Sequence, residues 1–438
     1  SWRDLSNMVV EGCLDWQASA GRWWIYAITS EPYDLDFLNP AVSERWIDLL
    51  LGEYERHLGP HMGKTFEAYG TDELPVLTGR IPITKGMIDK FRNTKGYDPR
   101  RYIAGLFRDI GDSTPKIRCD FYDVMVTLLD RNLYRPFAEW LHNRGMQYVE
   151  FCPLGKWTDI LAQTYHYGNF FLYMSHYDIP GNEEARAGNT RTFQAKLVSS
   201  IAHVYNKPRV GVCAYWGTGW GQTLEQGLHW TNENFAYGIN LYNGHGGQYH
   251  TMGGWYEWVP PSIHLRQPYW RHWHHFAAYV SRLSTLMSQG NHVADVGILY
   301  PITTIHAHWI AGSSFENAAD QSSNTAFLQA RHLFDAGIDL DFVDDHSLVE
   351  AEVINDKLHI GNIEFSVLLL PALSTIRRDS MEKAYAFFRA GGTVAAFGRL
   401  PADSPEHGRD DPRISELIGE IFGVRDAKLW VQKYESEG

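Results

Sequence analysis

The sequence predicts an α/β protein: a (β/α)8-type TIM barrel that lacks its first part, followed by a smaller doubly wound α/β domain. Short β-rich apolar runs alternate with amphipathic helical stretches, which is typical of parallel α/β structure. The 438 residues exceed one ordinary domain and suffice for a large barrel plus a second unit. The pattern changes after residue 290, so we assign residues 1–290 to the barrel and 291–438 to the second domain.

In the first domain, strands and helices follow one another in order. Asn39 is a suitable N-cap for the first helix, with Pro40 at the first helical position. The predicted strands are Arg22–Ser30, Thr65–Thr71, Met146–Cys152, Asn169–His176, Arg209–Tyr215 and Ile239–Tyr242. The predicted helices are Asn39–Leu58, Asp120–Arg144, Thr190–Asn206, Thr223–Tyr237 and 268–290. About six β/α units precede residue 250, whereas a complete barrel has eight, so we expect the chain to begin inside the barrel.

In the second domain, strands and helices alternate in the same way. Its predicted strands are Val293–Tyr300, Leu340–Val343, Phe365–Leu370 and Thr393–Phe397, with helices Thr325–Ala336 and Ser380–Ala390. This order is typical of a doubly wound sheet. No G-x-G-x-x-G follows the first strand, so we expect no nucleotide cofactor.

Composition excludes several classes of partner. The net charge of −13 disfavours nucleic acid and anionic membranes, which both require basic patches. The four cysteines are scattered and do not form a zinc motif. We expect a secreted or periplasmic protein rather than a cytoplasmic one, although residue 1 does not begin a signal peptide. Aromatic residues make up 14% of the chain, and many tryptophans adjoin Gly, Asn or His, which favours rings that stack on sugars.

The predicted strand ends carry carboxylates, and glycoside hydrolysis requires two of them. Glu73 and Glu150 are the first candidates for the catalytic acid and base, with Asp72 and Glu257 behind them. The alternative is structural, because an acidic pair after a strand often caps the next helix. Glu150 lies among apolar and aromatic neighbours, where a buried carboxylate requires a reason.

Polar and aromatic residues at the same strand ends form a candidate sugar-binding rim. Asn and His offer hydrogen bonds to hydroxyls, while Trp and Tyr offer stacking faces. The predicted substrate contacts, besides Asp72 and Glu257, are His176, Trp216, Trp220, Asn240, Tyr242, His245, Tyr249 and Trp255. The alternative is a Gly-rich loop that is packed by its own aromatic side chains. His245 and His250 lack the helical i, i+4 spacing of a metal site, and we prefer sugar contacts for them.

The order of several motifs resembles glycoside hydrolase family 106, the α-L-rhamnosidases, over most of residues 36–301. The motifs are the helix after Leu38-Asn39-Pro40, Thr71–Pro75, Arg118–Trp140, Asp178–Gly181, Gly219-Trp220, Val259–Ser262, and Arg282–Ser284 before Ala294–Val296. This resemblance implies an inverting hydrolase that removes terminal L-rhamnose, often with a Ca²⁺ ion that holds sugar hydroxyls. The second domain resembles the one that follows the barrel in family 42 β-galactosidases.

Two positions depart from the family pattern. The resemblance implies a Glu at the end of the strand that leads to Gly219-Trp220, but this strand ends in Cys213-Ala214-Tyr215. Ala214 is then either natural or an engineered replacement of Glu, and under both explanations we expect it to open onto the pocket. After the Glu150 strand the chain has Gly155-Lys156 in place of Gly-His. The alternatives to a rhamnosidase are therefore an exo-glycosidase for another sugar, a carbohydrate-binding pseudo-enzyme, and a structural subunit of a larger glycan-processing chain.

Overall fold

The computed structural model of the chain describes residues 3, 5–31, 35–74, 76–77, 81–153, 159–184, 193–247, 249–250, 263–312 and 314–424. In the first part, β1 (Val9–Val10) and β2 (Cys13–Leu14) form a short antiparallel hairpin. The predicted strand Arg22–Ser30 is wrong, because this segment has no regular structure and is mostly exposed. Trp24, for example, is 62% exposed, and the guanidinium groups of Arg22 and Arg108 lie over its ring.

Five parallel strands organise the first 290 residues: β3 (Ala68–Asp72), β4 (Gln147–Cys152), β5 (Gly181–Glu184), β6 (Gly211–Ala214) and β7 (Leu241–Gly244). β3 pairs with β4, and β6 lies between β5 and β7. A parallel bridge between Val149 and Ile179 joins the two sheets, so the strand order follows the chain order. Closure of these strands into an eight-stranded barrel stays a prediction.

Helices connect and cover these strands. Asn39 caps the first helix as predicted, since its side chain accepts a hydrogen bond from the Ala41 amide, and Thr223 forms a capping box with Gln226. The helices are Pro40–Trp46, Gly52–Leu58, Met87–Lys95, Thr114–Leu129, Arg135–His142, Ile160–Tyr167, Phe170–Ser175, Gln194–Val204, Leu224–Ala236 and Trp273–Met287. π-Helical turns at Ile47–Leu51 and Asp130–Tyr134 join consecutive helices.

The predicted strand Asn169–His176 is wrong, because the segment is a helix, Phe170–Ser175. The Asn169 side chain caps it by accepting a hydrogen bond from the Leu172 amide. Most of its side chains are buried, so its continuous apolar run carries no periodicity that separates a buried helix from a buried strand. The strand of this unit is β5, which the sequence analysis missed.

The sheet after residue 290 is parallel and alternates with helices, as predicted. β8 (Val296–Leu299) and β15 (Val367–Pro371) are central, with β11 (Leu340–Val343) beside β8 and β16 (Thr393–Phe397) beside β15. The other strands are the antiparallel pair β9 (Trp309–Ile310) and β10 (Ser314–Phe315), and the meander β12 (Glu352–Ile354), β13 (Lys357–Ile360) and β14 (Ile363–Phe365). The helices are Ile302–Ala307, Asn317–Asp335, Asp345–Glu350, Arg378–Arg389 and Pro412–Phe422.

Buried contacts join the residues before 290 to those after it. The His306 ring stacks on Tyr122 with 4.5 Å between ring centroids, and Arg377 pairs with Asp123. The division at residue 290/291 into two domains stays a prediction. Within the part of the chain that the structure describes, no helix is both long and apolar enough to cross a bilayer.

Candidate functional site at the carboxyl ends of strands β3–β7

The two faces of the β3–β7 strands differ in what covers them. Tyr148 packs on Phe137 and Tyr242 packs on Phe235, and both partners belong to the covering helices. Successive side chains of a strand alternate between faces, so Glu150, Val212 and Ala214 share this helix-facing side. The other side, which we call the distal face, carries Phe151, Gly181, Glu183, Gly211, Cys213 and Asn243.

Glu183 is the carboxylate that the distal face presents near the strand ends. It is 4% exposed and lies in register with Cys213 on β6, which in turn is in register with Asn243 on β7. Below it, the Phe151 ring covers Gly181 and Gly211, where any side chain would collide with the ring. Glu183 is not among the predicted site residues, because the predicted strand of this unit is Asn169–His176. The sequence does contain a signal for Glu183: two acidic residues, Glu183 and Glu184, follow closely after the segment Asp178-Ile179-Pro180.

Glu150 is fully buried in a network of hydroxyls on the helix-facing side. Its Oε2 accepts hydrogen bonds from the Tyr173 hydroxyl at 2.6 Å and the Thr71 hydroxyl at 2.9 Å. The Tyr177 hydroxyl lies 2.8 Å from both of those hydroxyl oxygens. Burial, reinforced by the charge of Glu150, raises the pKa of Tyr173 well above its usual range, so this phenol stays protonated and donates.

Asp72 and Glu73 lie at the carboxyl end of β3 and are exposed. Glu73 has a backbone φ of 48°, a left-handed conformation that is uncommon for a residue with a side chain. Such strained residues concentrate at functional sites. Thr71, which precedes the pair, donates to Glu150, so the Glu150 network fixes the strand end that carries Asp72 and Glu73.

His176 binds a helix carboxylate and is not part of the rim. Its Nε2 lies 2.7 Å from Asp130 Oδ1, and its ring packs on Tyr134. Burial opposes ionisation of Asp130, but hydrogen bonds from His176 and Arg135 outweigh it and lower the pKa of this carboxyl. The prediction of His176 as a substrate contact depends on a strand at Asn169–His176. This segment is the helix Phe170–Ser175, and His176 at its C-terminal end lies among the covering helices.

Two further predicted contacts are engaged within the fold. The Asn240 side chain accepts a hydrogen bond from the Val210 amide and donates to the Pro208 carbonyl, at the amino ends of β6 and β7. This is the end opposite to the candidate site, so Asn240 is a structural residue. Tyr242 donates to the Thr231 carbonyl of the covering helix at 2.8 Å, which places its ring on the helix-facing side. These bonds place both side chains away from the candidate site, and their role as substrate contacts stays an untested prediction.

The remaining rim candidates follow β6 and β7 at the expected end. Trp220 is 39% exposed and contacts the His264 ring edge-on, while Trp216 and His245 are partly buried. Tyr249 is completely exposed. Trp255 and Glu257 lie outside the described residues. The structure therefore brings Glu73, Glu183, Trp216, Trp220 and His245 to one edge of the sheet.

Ala214 does not open onto that edge. It is 2% exposed and in register with Gly244, where an added Cβ would meet Ile263 at 2.4 Å. By strand alternation its methyl group lies on the helix-facing side. The expectation that Ala214 marks a gap in the pocket is therefore wrong. Cys213 is the residue of β6 that shares the distal face with Glu183.

The donor atoms near this edge suit a hard cation. Carboxylate oxygens of Asp72 and Glu183 and the side-chain oxygen of Asn243 are the ligand types that Ca²⁺ prefers. The Cys213 thiol between Glu183 and Asn243 is not a calcium ligand. Asp72 on β3 and Asn243 on β7 are four strands apart, too far to bind one ion together, so these residues do not form a single calcium site and the ion implied by the resemblance stays a proposal.

The amino-acid sequence matches a known protein family and one curated protein. Residues 4–436 match the model of a glycoside hydrolase family described as alpha-L-rhamnosidase. A Formosa agariphila protein named "Putative beta-glucuronidase" is 22% identical over 452 aligned positions, covering 94% of this chain and 35% of that protein. The chain therefore spans about a third of the length of this curated relative.

Solved structures of glycosidases share the fold. A rhamnosidase from Novosphingobium sp. PP1Y matches with a TM-score of 0.63 at 16% identity, over 92% of this chain and 39% of that one. A beta-galactosidase from Marinomonas ef1 matches with a TM-score of 0.57 at 11% identity, over 88% and 63%. A catalytic mutant of a GH42 beta-galactosidase from G. stearothermophilus matches at 0.54 and 12%, over 87% and 58%. At these identities the likeness shows the fold alone.

Proposed function

The chain belongs to the glycoside hydrolase 106 family, described as alpha-L-rhamnosidase, and on this basis we propose that it removes a terminal sugar, α-L-rhamnose first, from a plant or microbial glycan. The single observation that carries the proposal is Glu183, a carboxylate 4% exposed on the distal face near the carboxyl ends of the parallel strands. Active residues of α/β barrels occupy this end.

Glu73 is the proposed partner of Glu183. β3 and β5 flank β4, so the backbones at their ends are two strand spacings apart, about 10 Å. An inverting glycosidase needs its two carboxyls roughly 6.5–9.5 Å apart, so that a water molecule fits beside the sugar. One carboxyl would protonate the leaving oxygen while the other would take a proton from the attacking water.

Glu150 takes a positioning role in this proposal rather than a catalytic one. Its carboxylate already accepts two hydroxyl hydrogen bonds and is fully buried on the helix-facing side. Through Thr71 it holds the strand end that bears Asp72 and Glu73. A bound Ca²⁺ ion, which the family resemblance implies, would hold sugar hydroxyls.

The exposed rings of Trp220 and Tyr249 are the proposed stacking faces for the sugar. Trp220 is anchored by the edge contact with His264 but keeps 39% of its surface exposed. Flat rings with open faces suit the apolar side of a pyranose.

A carbohydrate-binding protein without hydrolytic activity is the second candidate. The observation that favours it is that β6 and β7 end in Ala214 and Gly244, which supply no carboxylate. An exo-glycosidase for another sugar is the third, favoured by the relative named for glucuronide chemistry.

Aryl glycosides test the proposal, with aglycone release as the measurement and L-rhamnoside, D-glucuronide and D-galactoside as substrates. We expect release from the L-rhamnoside, reduced at least about 100-fold by Glu183→Gln, because an amide cannot exchange the catalytic proton. The matched control Glu225→Gln changes an exposed helix residue and should leave release unchanged. Equal activity in Glu183→Gln and wild type, with unchanged melting, would refute the role of Glu183. Calorimetric binding without release from any substrate would favour the binding protein.

A further inference from the structure

Two histidines and an aspartate come together where residues before 290 meet the second sheet. His203 lies on the helix Gln194–Val204, His292 precedes β8, and Asp341 lies on β11. Each offers one ligand atom, and these atoms all lie within 4.8 Å of one another. None of the three belongs to the candidate sugar site.

Hydrogen bonds already connect the members of this cluster. Lys196 Nζ lies 3.2 Å from His292 Nε2 and donates to its lone pair, so this nitrogen carries no proton and a metal ion would take the place of the ammonium group on it. His203 Nδ1 lies 2.9 Å from Asp341 Oδ1. The two imidazole rings stack 4.1 Å apart with 13° between their planes.

The charges in the cluster do not cancel. Lys196 pairs with Asp339 at 2.7 Å and lies 3.7 Å from Asp341, so one cation faces two carboxylates. Lys196 and the two carboxylates together leave one negative charge over. Asp341 is fully buried, and its Oδ2 has no hydrogen-bond partner within the described structure. A buried carboxylate oxygen without a partner is costly, and a bound cation would relieve that cost.

We propose that His203, His292 and Asp341 form a binding site for a divalent transition metal of the Zn²⁺ type. Two imidazoles and a carboxylate are a common ligand set for zinc, whereas calcium and magnesium prefer oxygen alone. Zinc–ligand distances are about 2.0–2.2 Å, so the three side chains would draw in by roughly an ångström and a water would complete the tetrahedron. The bound ion would link the first 290 residues to the second sheet. This proposal does not depend on the glycosidase activity.

Metal analysis after equilibrium dialysis against micromolar ZnCl₂ tests the site directly. We expect one Zn²⁺ per chain and a melting temperature that rises with zinc and falls after chelation. His292→Ala should weaken binding more than about 100-fold, because it removes a ligand. The double variant His274→Ala/His275→Ala is the matched control, since these exposed neighbouring rings could also hold zinc. Binding lost in the control but kept in His292→Ala would overturn the proposal, as would no binding to the wild type.

Lys196→Met provides a second test that does not remove a ligand. It removes the positive charge beside the ligands, so zinc affinity should increase if the ion binds there. The visible absorption of bound Co²⁺ would report nitrogen and carboxylate ligation in both proteins. An unchanged zinc affinity in Lys196→Met, together with a cobalt spectrum that is unaffected by His203→Ala, would overturn the proposal.

Discussion

Side chains at a strand end differ in role according to the face on which they lie. Glu183 and Glu150 are both acidic and buried, and they lie on β5 and β4, whose two sheets are joined by the Val149–Ile179 bridge. Glu150 accepts hydrogen bonds from helix and strand hydroxyls, whereas Glu183 lies on the distal face beside Cys213. The face on which each side chain lies therefore separates a positioning residue from a proposed catalytic one.

Ala214→Glu tests this distinction at one residue. Because Ala214 is 2% exposed and lies on the helix-facing side, the new carboxylate would be buried without a partner. We expect the variant to lose about 2–4 kcal/mol of unfolding free energy and to gain no hydrolysis. Urea denaturation and the aryl glycoside assay measure the two effects.

Ala214→Gln is the matched control for the added charge. It introduces nearly the same volume, so the difference between Glu and Gln isolates the buried charge. A stable Ala214→Glu variant with increased aglycone release would contradict the placement of this side chain.

At the scale of the element, the helix Ile302–Ala307 illustrates how a short element is fixed by burial. All six of its residues are buried. His306 stacks on Tyr122, and its Nε2 lies 2.7 Å from the Gly168 carbonyl oxygen. Burial lowers the pKa of His306 to about 4, although the hydrogen bond to Gly168 favours the charged form.

Stability should therefore depend on pH through His306. An unfolded histidine has a pKa near 6.5, so between about pH 6.5 and pH 4 the unfolded chain binds a proton that the folded chain does not. The stabilisation is complete above pH 6.5 and is lost as the pH falls through this window, by about 3 kcal/mol from this residue alone.

His306→Gln should flatten the dependence of unfolding free energy on pH between 4 and 6.5 relative to the wild type. Glutamine keeps a donor for the Gly168 carbonyl but does not titrate. His292 also has a pKa lowered to about 4, so the wild-type slope contains both contributions and the difference between the proteins isolates His306. Parallel pH profiles for the two proteins would contradict the assignment.

At the scale of the whole molecule, charged pairs tie the first 290 residues to the rest. Arg377, just before the helix Arg378–Arg389, pairs with Asp123 at 2.5 Å, and Lys95 pairs with the same carboxylate at 2.7 Å. Burial opposes ionisation of Asp123, but the charge and hydrogen bonds of Arg377 outweigh it and lower the pKa of this carboxyl to about 2. Arg118 reaches Glu316 from the same helix as Asp123.

Arg377→Met should weaken this junction. The change leaves Asp123 with one cation, and we expect a loss of about 1.5–3 kcal/mol, since a hydrogen bond between charged groups is removed. Calorimetry should show a lower melting temperature and a broader or split transition, because the two halves of the chain would unfold less cooperatively.

Arg45→Met is the matched control, because its pair with Asp48 is exposed and should contribute little. An equal loss of stability in both variants would show that the Asp123 pair has no special role in joining the two halves.

The α/β class, the parallel sheets and the positions of most helices are predictable from the amino-acid sequence. Local signals decide these features: Asn39 caps its helix as its sequence predicts, and the apolar run at 340–343 forms a buried strand. Motif order identified the family, since the pieces from Thr71 to Val296 resemble the rhamnosidases as a set and the family model matches residues 4–436. These features depend on residues close together in the chain or on their order.

Which side chains share a site depends on contacts between distant parts of the chain, and these are seen in the folded protein. The run Phe170–Ser175 is a helix whose apolar side chains are mostly buried. The strand of this unit is therefore Gly181–Glu184 and not the predicted Asn169–His176, and this strand places Glu183 on the distal face. His176, Asn240 and Tyr242 lie near the expected strand ends in sequence, yet each bonds to a helix or to a strand start. Side chains on a strand change face with every residue, so a small error in register reverses the assignment of each one.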